Sequence, residues 1–189
     1  MEQNLKLYMV LLGCTPKGRL TEQHDIFFGI GTSVQELIPQ MYNFWPDGGQ
    51  LHIDAWREVT KVNGYSITIA QAQAIQQEQK LFFINLGGYK AGDFEEYHYK
   101  TLIAANTMGE AVKAAKQSAF YKHYNLKGGG ESHIDDKFAL DADDLHNVQD
   151  VLPENVKQQY SIILTPAPAK QADELHIGYT KIGKKPHSV

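Results

Sequence analysis

The feature that most constrains this chain of 189 residues is that it is written twice. Leu12-Gly13 followed by Glu22-Gln23-His24 returns as Leu86-Gly87 followed by Glu96-Tyr97-His98, and Ser33 to Glu36 returns at the same offset as Thr107 to Glu110. Later, Val59 and Val62 match Val148 and Val151, and Tyr65-Ser66-Ile67 matches Tyr160-Ser161-Ile162. Markers kept in one order define two units, about 5 to 70 and 81 to 165, and a fold built from them must use one supersecondary unit two times.

Local signals outline that unit. Short apolar runs at Leu7 to Leu12 and Leu81 to Leu86 have the length and composition of core strands. A loop follows, then a second strand near His24 to Ile30 and His98 to Ala104. Ser33 with Glu36, and Thr107 with Glu110, predict a capping box opening a helix in each copy. Val34, Leu37, Ile38 and Met41 fall on one face of the first helix, as do Met108, Ala111, Val112, Ala115 and Ala119 on the second. Pro39 predicts a kink. Gly48-Gly49 and Gly128 to Gly130 predict the helix ends. Arg57 to Val62, Asn63-Gly64 and Tyr65 to Ile69 read as a hairpin with a two-residue turn, lengthened in the second copy through Leu152 to Gln159.

The expected class is therefore α+β: a tandem ββαββ duplication, each antiparallel sheet covered by one helix, in a pseudo-twofold arrangement. The predicted boundaries are 1–72 and 73–165 for the repeats and 166–189 for a C-terminal extension. In that extension, the alternating stretch Leu175 to Ile182 is expected to complete the second sheet.

Charge narrows the function. The formal net charge of −4 combines −7 between Glu131 and Glu154, where eight acids face Lys137 alone, with +3 elsewhere. Two Arg and one short basic pair, Lys184-Lys185, disfavour nucleic acid, which is bound through concentrated cations. No apolar run approaches the roughly twenty residues of a membrane span. Leu11-Leu12-Gly13-Cys14 imitates a lipoprotein cleavage box, but its twin Leu86-Gly87-Gly88 has no cysteine. With a single Cys there is no internal disulfide, and the expected location is the cytoplasm.

The chemistry lies in histidine and carboxylate. Each copy has Glu-x-His, Glu22/His24 and Glu96/His98, and later His-Ile-Asp, His52/Asp54 and His133/Asp135. Alternate strand residues share a face, so each pair offers two ligands to one divalent ion or an acid-base pair to one substrate. The competing reading, which the sequence favours, is that these side chains hydrogen-bond the loop that precedes them or pack at the seam between the copies. Leu51 to Val59 also matches Leu140 to Val148, which pairs Asp54 with Asp143 in place of Asp135. The acids at 135–144 offer oxygens to a hard cation such as Mg²⁺ or Ca²⁺, but they lack EF-hand spacing and read as a solvated loop or a surface for a basic partner protein. Cys14 with His24 suggests a nucleophile pair, but the glycine twin makes a small turn residue the better reading. Trp45 and Trp56 read as core or edge aromatics.

In combination these motifs resemble the bacterial family of domain of unknown function 1543, whose short domain often occurs twice in a chain. The resemblance implies a bacterial origin and a duplicated domain, and no activity or catalytic residue. Two functions follow as expectations. The first is a non-enzymatic protein binding a small molecule, peptide or protein in a groove at the repeat seam. The second is a hydrolase using a divalent metal held by His and Asp or Glu from both repeats. No cofactor is otherwise predicted, and open sheet edges suit a homodimer.

Overall fold

The computed structural model describes residues 4–72, 77–89, 92–117, 145–167 and 172–183. The chain forms two compact units, one of Met1–Ala74 with Leu152–Val189 and one of Ile75–Val151. Both are mixed α and β with antiparallel sheets.

In the first unit, β1 (Lys6–Cys14) is an inner strand of a four-stranded sheet with β2 (Gln23–Gly31), β3 (His52–Glu58) and β10 (His176–Lys181), in the order β10-β3-β1-β2. Its alternation divides the labour of its side chains. Tyr8, Val10, Leu12 and Cys14 face one way into a core with Phe27, Val34, Leu37, Met41 and Ile53. Gly13 faces the other way. Helical residues cover the core side, beginning as a 3-10 turn at Gln35–Leu37 and continuing as α1 (Ile38–Phe44). Pro39 therefore does not kink a continuous helix. It lies in the first turn of the α segment, where its missing N–H costs no hydrogen bond. The capping box is half made: the Glu36 carboxylate accepts the Thr32 N–H at 2.9 Å, a bond that lowers its pKa, while Val34 is the N-cap and has no side-chain cap bond.

The Asn63-Gly64 turn forms as expected, with both residues at positive φ (30° and 91°) as a type I′ turn requires. The strand predicted over Arg57 to Val62 is instead broken. The Val59 N–H bonds the Leu7 carbonyl, the Thr60 carbonyl accepts the Ile67 N–H, and the chain changes sheets there. Beyond the break, β4 (Lys61–Val62), β5 (Tyr65–Gln71) and β9 (Tyr160–Pro166) make a three-stranded sheet, preceded by the short helix α4 (Glu154–Lys157).

The last strand also departs from expectation. β10 pairs with β3 in the first unit's sheet and not with the second unit's. Ile182 just beyond it is 5% exposed and joins the first core, and Trp56 on β3 stacks on His176 at 3.8 Å. Apolar burial and a free edge on β3 decide the placement, and neither is visible in local pattern.

The second unit orders β6 (Lys80–Tyr89) between β7 (Glu96–Ala105) and β8 (Leu145–Asn147), with α2 (Met108–Lys116) and α3 (Val148–Val151). Here the capping box is complete, Thr107 and Glu110 each accepting the other's backbone N–H. Ala111 and Ala115 bury against Phe82, Ile84 and Leu86.

Deleting residues 173–189 removes the Ile182 side chain from the first core, a loss of about 1.5–3 kcal/mol for that side chain alone, and a clear drop in the urea midpoint is expected. Alkaline stability is set partly by Tyr8, whose hydroxyl lies 3.2 Å from Glu58 and whose pKa burial and that carboxylate push up to about 12. The unfolded chain loses this proton near 10, so stability falls as pH rises from about 10 towards 12. Tyr8→Phe is expected to flatten that fall in denaturant titrations at stepped pH.

Candidate metal site on the first sheet

The site begins with a missing side chain. Gly13 is paired on one side with His24 and on the other with His52, so three strands place His, Gly and His in a row. With no side chain between them, the two imidazoles lean together over Gly13, their rings edge to face at 6.5 Å. A Cβ on Gly13 would overlap His52 Nε2 and lie 2.6 Å from Asp54 Oδ2. Glycine is required here for space.

Two carboxylates complete the cluster. Glu22, just before β2, places its oxygens 3.1 Å from His52 Nε2 and 3.5 Å from His24 Nε2. Asp54 Oδ2 lies 3.2 Å from His24 Nε2 and 3.3 Å from His52 Nε2. Asp54 reaches this point through irregular pairing. Leu11 and Leu12 of β1 pair with Ala55 and Ile53, so Asp54 is an extra, bulged residue against β1.

These contacts are close but not aligned as hydrogen bonds. His52 Nε2 and Asp54 Oδ2 are buried and have no hydrogen-bond partner, and the His52 side chain is 6% exposed. Buried polar atoms are nearly always satisfied; these two make no hydrogen bond but lie 3.3 Å apart and within ion-pair distance of Glu22 and His24, an arrangement that a shared cation would also satisfy. One donor atom each from Glu22, His24 and His52 lies within 4.8 Å of the others. Glu22 and His24 are exposed, so this side of the cluster opens to solvent.

The sequence pairs Glu22/His24 and His52/Asp54 thus converge on one point. In the second unit, His98 pairs with Gly87 as His24 does with Gly13. Glu96 is 3.8 Å from His98 Nε2, and the Asn85 amide nitrogen is 2.9 Å from His98 Nδ1. His133, Asp135 and the acids at 136–144 lie outside the described residues. In β6–β8, Ile84 pairs with Leu145 as Val10 pairs with Trp56 in β1–β3, a register that agrees with the alternative matching of Leu51–Val59 to Leu140–Val148.

What the motifs could not reveal is Gly13 as the floor and Tyr179 as a neighbour. The Tyr179 ring lies 4.5 Å from that of His52. Both meet the site across strand pairings, and only the recurrence of Leu-Gly hinted at Gly13.

Elsewhere, a cleft of about 330 Å³ is lined by Glu58, Lys61, Asp173 and His176, but its Asp173 carboxylate is engaged by the Thr60 and Lys61 backbone. Cys14 faces the core, away from the Gly13 and His24 face, at 1% exposure. Burial, with a smaller effect of Glu22, pushes its thiol pKa up.

Residues 19–69 match the family model described as Domain of Unknown Function (DUF1543), a segment that holds Glu22, His24, His52 and Asp54. Among solved structures, the chain is similar to the crystal structure of a protein Il1583 from Idiomarina loihiensis, with a TM-score of 0.62 and 22% identity over 95% of this chain and 99% of that one. At that identity the likeness concerns fold. No curated protein matches the sequence. No helix among the described residues is long and apolar enough to cross a membrane.

The buried, proton-holding thiol leads to a direct expectation: Cys14 in the native protein does not react with an aromatic disulfide reagent at pH 8, and reacts fully in denaturant.

Proposed function

We propose that the first unit binds one divalent transition-metal ion through His24, His52, Glu22 and Asp54, and that the protein's function is exercised at this ion. The observation that carries the reading is the pair of buried atoms His52 Nε2 and Asp54 Oδ2, which make no hydrogen bond and crowd together with His24 and Glu22 over a glycine on which any Cβ would collide with them. Two imidazoles and two carboxylates suit zinc and the borderline divalent metals, and their two negative charges neutralise the ion. The expectation of a groove at the repeat seam rests on sequence self-similarity. This reading rests on four donors within one unit, and makes the protein a metal-dependent binder first.

A hydrolytic role is the second reading, favoured by the exposure of Glu22 and His24. An ion held there would be reachable by water, whose proton a divalent metal would loosen, and Glu22 is the exposed carboxylate beside it. Activated ester and phosphate substrates, offered to zinc- and manganese-loaded protein, distinguish this from binding alone.

We also infer that the chain descends from a duplication with local pseudo-twofold pairing. Support comes from equivalent registers, Gly13 to His24 and Gly87 to His98. It also comes from β5 and β9, where Thr68 pairs with Ile163, its own counterpart when Tyr65 is matched to Tyr160. Ile67 pairs with Leu164, and Ile69 with Ile162, as a self-complementary contact requires.

The test is elemental analysis and zinc titration of full-length protein purified without a histidine tag. One equivalent is expected in the wild type. His52→Ala and Gly13→Ala are expected to lose it while keeping the far-ultraviolet circular dichroism of the fold. A wild-type protein that takes up no zinc, manganese or iron(II) after loading and dialysis overturns the proposal.

A further inference from the structure

Building on the metal reading, we propose that Tyr179 is the positioning residue of the site, holding the His52 imidazole in its ligating orientation, and that a bulge in β10 exists to aim it. This strand lies outside the segment matched by the family model, so the match does not imply the role.

β10 is tied down at both ends. Before it, the Asp173 carboxylate accepts the Thr60 N–H at 3.0 Å, the Thr60 hydroxyl at 2.5 Å and the Lys61 N–H at 3.3 Å. After it, the Gly183 carbonyl accepts the Tyr42 hydroxyl at 2.6 Å, and the Ile182 carbonyl accepts the Gln50 amide at 2.8 Å. Between these anchors the ladder slips. Ile177 pairs with Ala55 and Thr180 with Ile53, so Gly178 and Tyr179 together oppose the single residue Asp54. Two residues against one is a bulge, which reverses the alternation of side chains and re-aims one of them. Gly178 permits it at φ 147°, a backbone angle that side chains other than glycine's rarely adopt.

The irregularity falls opposite a proposed ligand, and the re-aimed side chain meets another. Tyr179 lays its ring on that of His52 at 4.5 Å with a 33° tilt, while remaining 62% exposed. A side chain so exposed contributes little to the core. Against His52 it has a definite effect, because no hydrogen bond to Nε2 fixes the turn of the imidazole about its Cβ–Cγ bond, and packing contacts must set it. A flat neighbour limits that rotation and keeps Nε2 directed at the point shared with Glu22, His24 and Asp54. Outer-shell groups that hydrogen-bond a ligand typically govern metal affinity by about 10–100-fold, and a ring that packs on one is expected at the lower end of that range.

The experiment uses full-length, untagged protein, with zinc affinity measured by chelator competition and ligand geometry by the visible absorption of the cobalt(II) form. Tyr179→Ala is expected to weaken zinc about 10-fold or more and to shift the cobalt bands, with the thermal midpoint little changed. Tyr179→Phe keeps the ring and is expected to restore both. Gly178→Ala, whose new methyl meets open space, is expected to weaken binding through backbone strain alone. Wild-type affinity and cobalt spectrum in Tyr179→Ala overturn the inference while leaving the metal reading intact. Equal loss in Tyr179→Phe and Tyr179→Ala also overturns it, since the hydroxyl would then be a ligand. A wild type that binds no metal overturns both.

Discussion

The first unit depends on the two-sidedness of β1. One face of this inner strand is Tyr8, Val10, Leu12 and Cys14, all nearly inaccessible, and it seats the 3-10 turn and α1. The other face reaches Gly13, where the absence of a side chain lets His24 and His52 approach from neighbouring strands. Core and candidate site are thus consecutive residues of one strand pointing in opposite directions. Hydrophobic burial on one side fixes the register, and the register fixes which residues meet on the other.

That arrangement explains the placement of irregularities. A regular ladder through β3 would carry Asp54 as one more alternating residue. Instead β3 bulges against β1 at Asp54, and β10 bulges against β3 at the same point. Elsewhere the pairing of β1 with β2 runs without interruption from Lys6 to Cys14. Disturbing two ladders at one residue sacrifices backbone hydrogen bonds, and a concentration of such features marks a place where side-chain direction matters more than sheet regularity.

Much of this was legible in the sequence. Glu-x-His and His-Ile-Asp singled out Glu22, His24, His52 and Asp54 as candidates from residue type and spacing, but the sequence preferred a structural role for them, and neither the position of Glu22 before β2 nor the bulge at Asp54 follows from strand alternation. The Asn63-Gly64 turn, the core face of the first helix and the Thr107–Glu110 box were readable because each is settled within a few residues. Ser33 failed as a cap, and Pro39 as a kink, because the chain entered its helix through a 3-10 turn fitted to the packing of Leu37 against the sheet.

By itself the sequence determined most of the strands, the Asn63-Gly64 turn, the second helix's cap and the nearness of histidine to carboxylate in each motif, since period-two alternation and turn chemistry act over short spans. Tertiary structure alone decided that Gly13 lies between His24 and His52, that the last strand joins β3, and that Tyr179 rests on His52. Each of these is a contact across strands distant in sequence, set by register and by the burial of Ile182, and no local pattern encodes it.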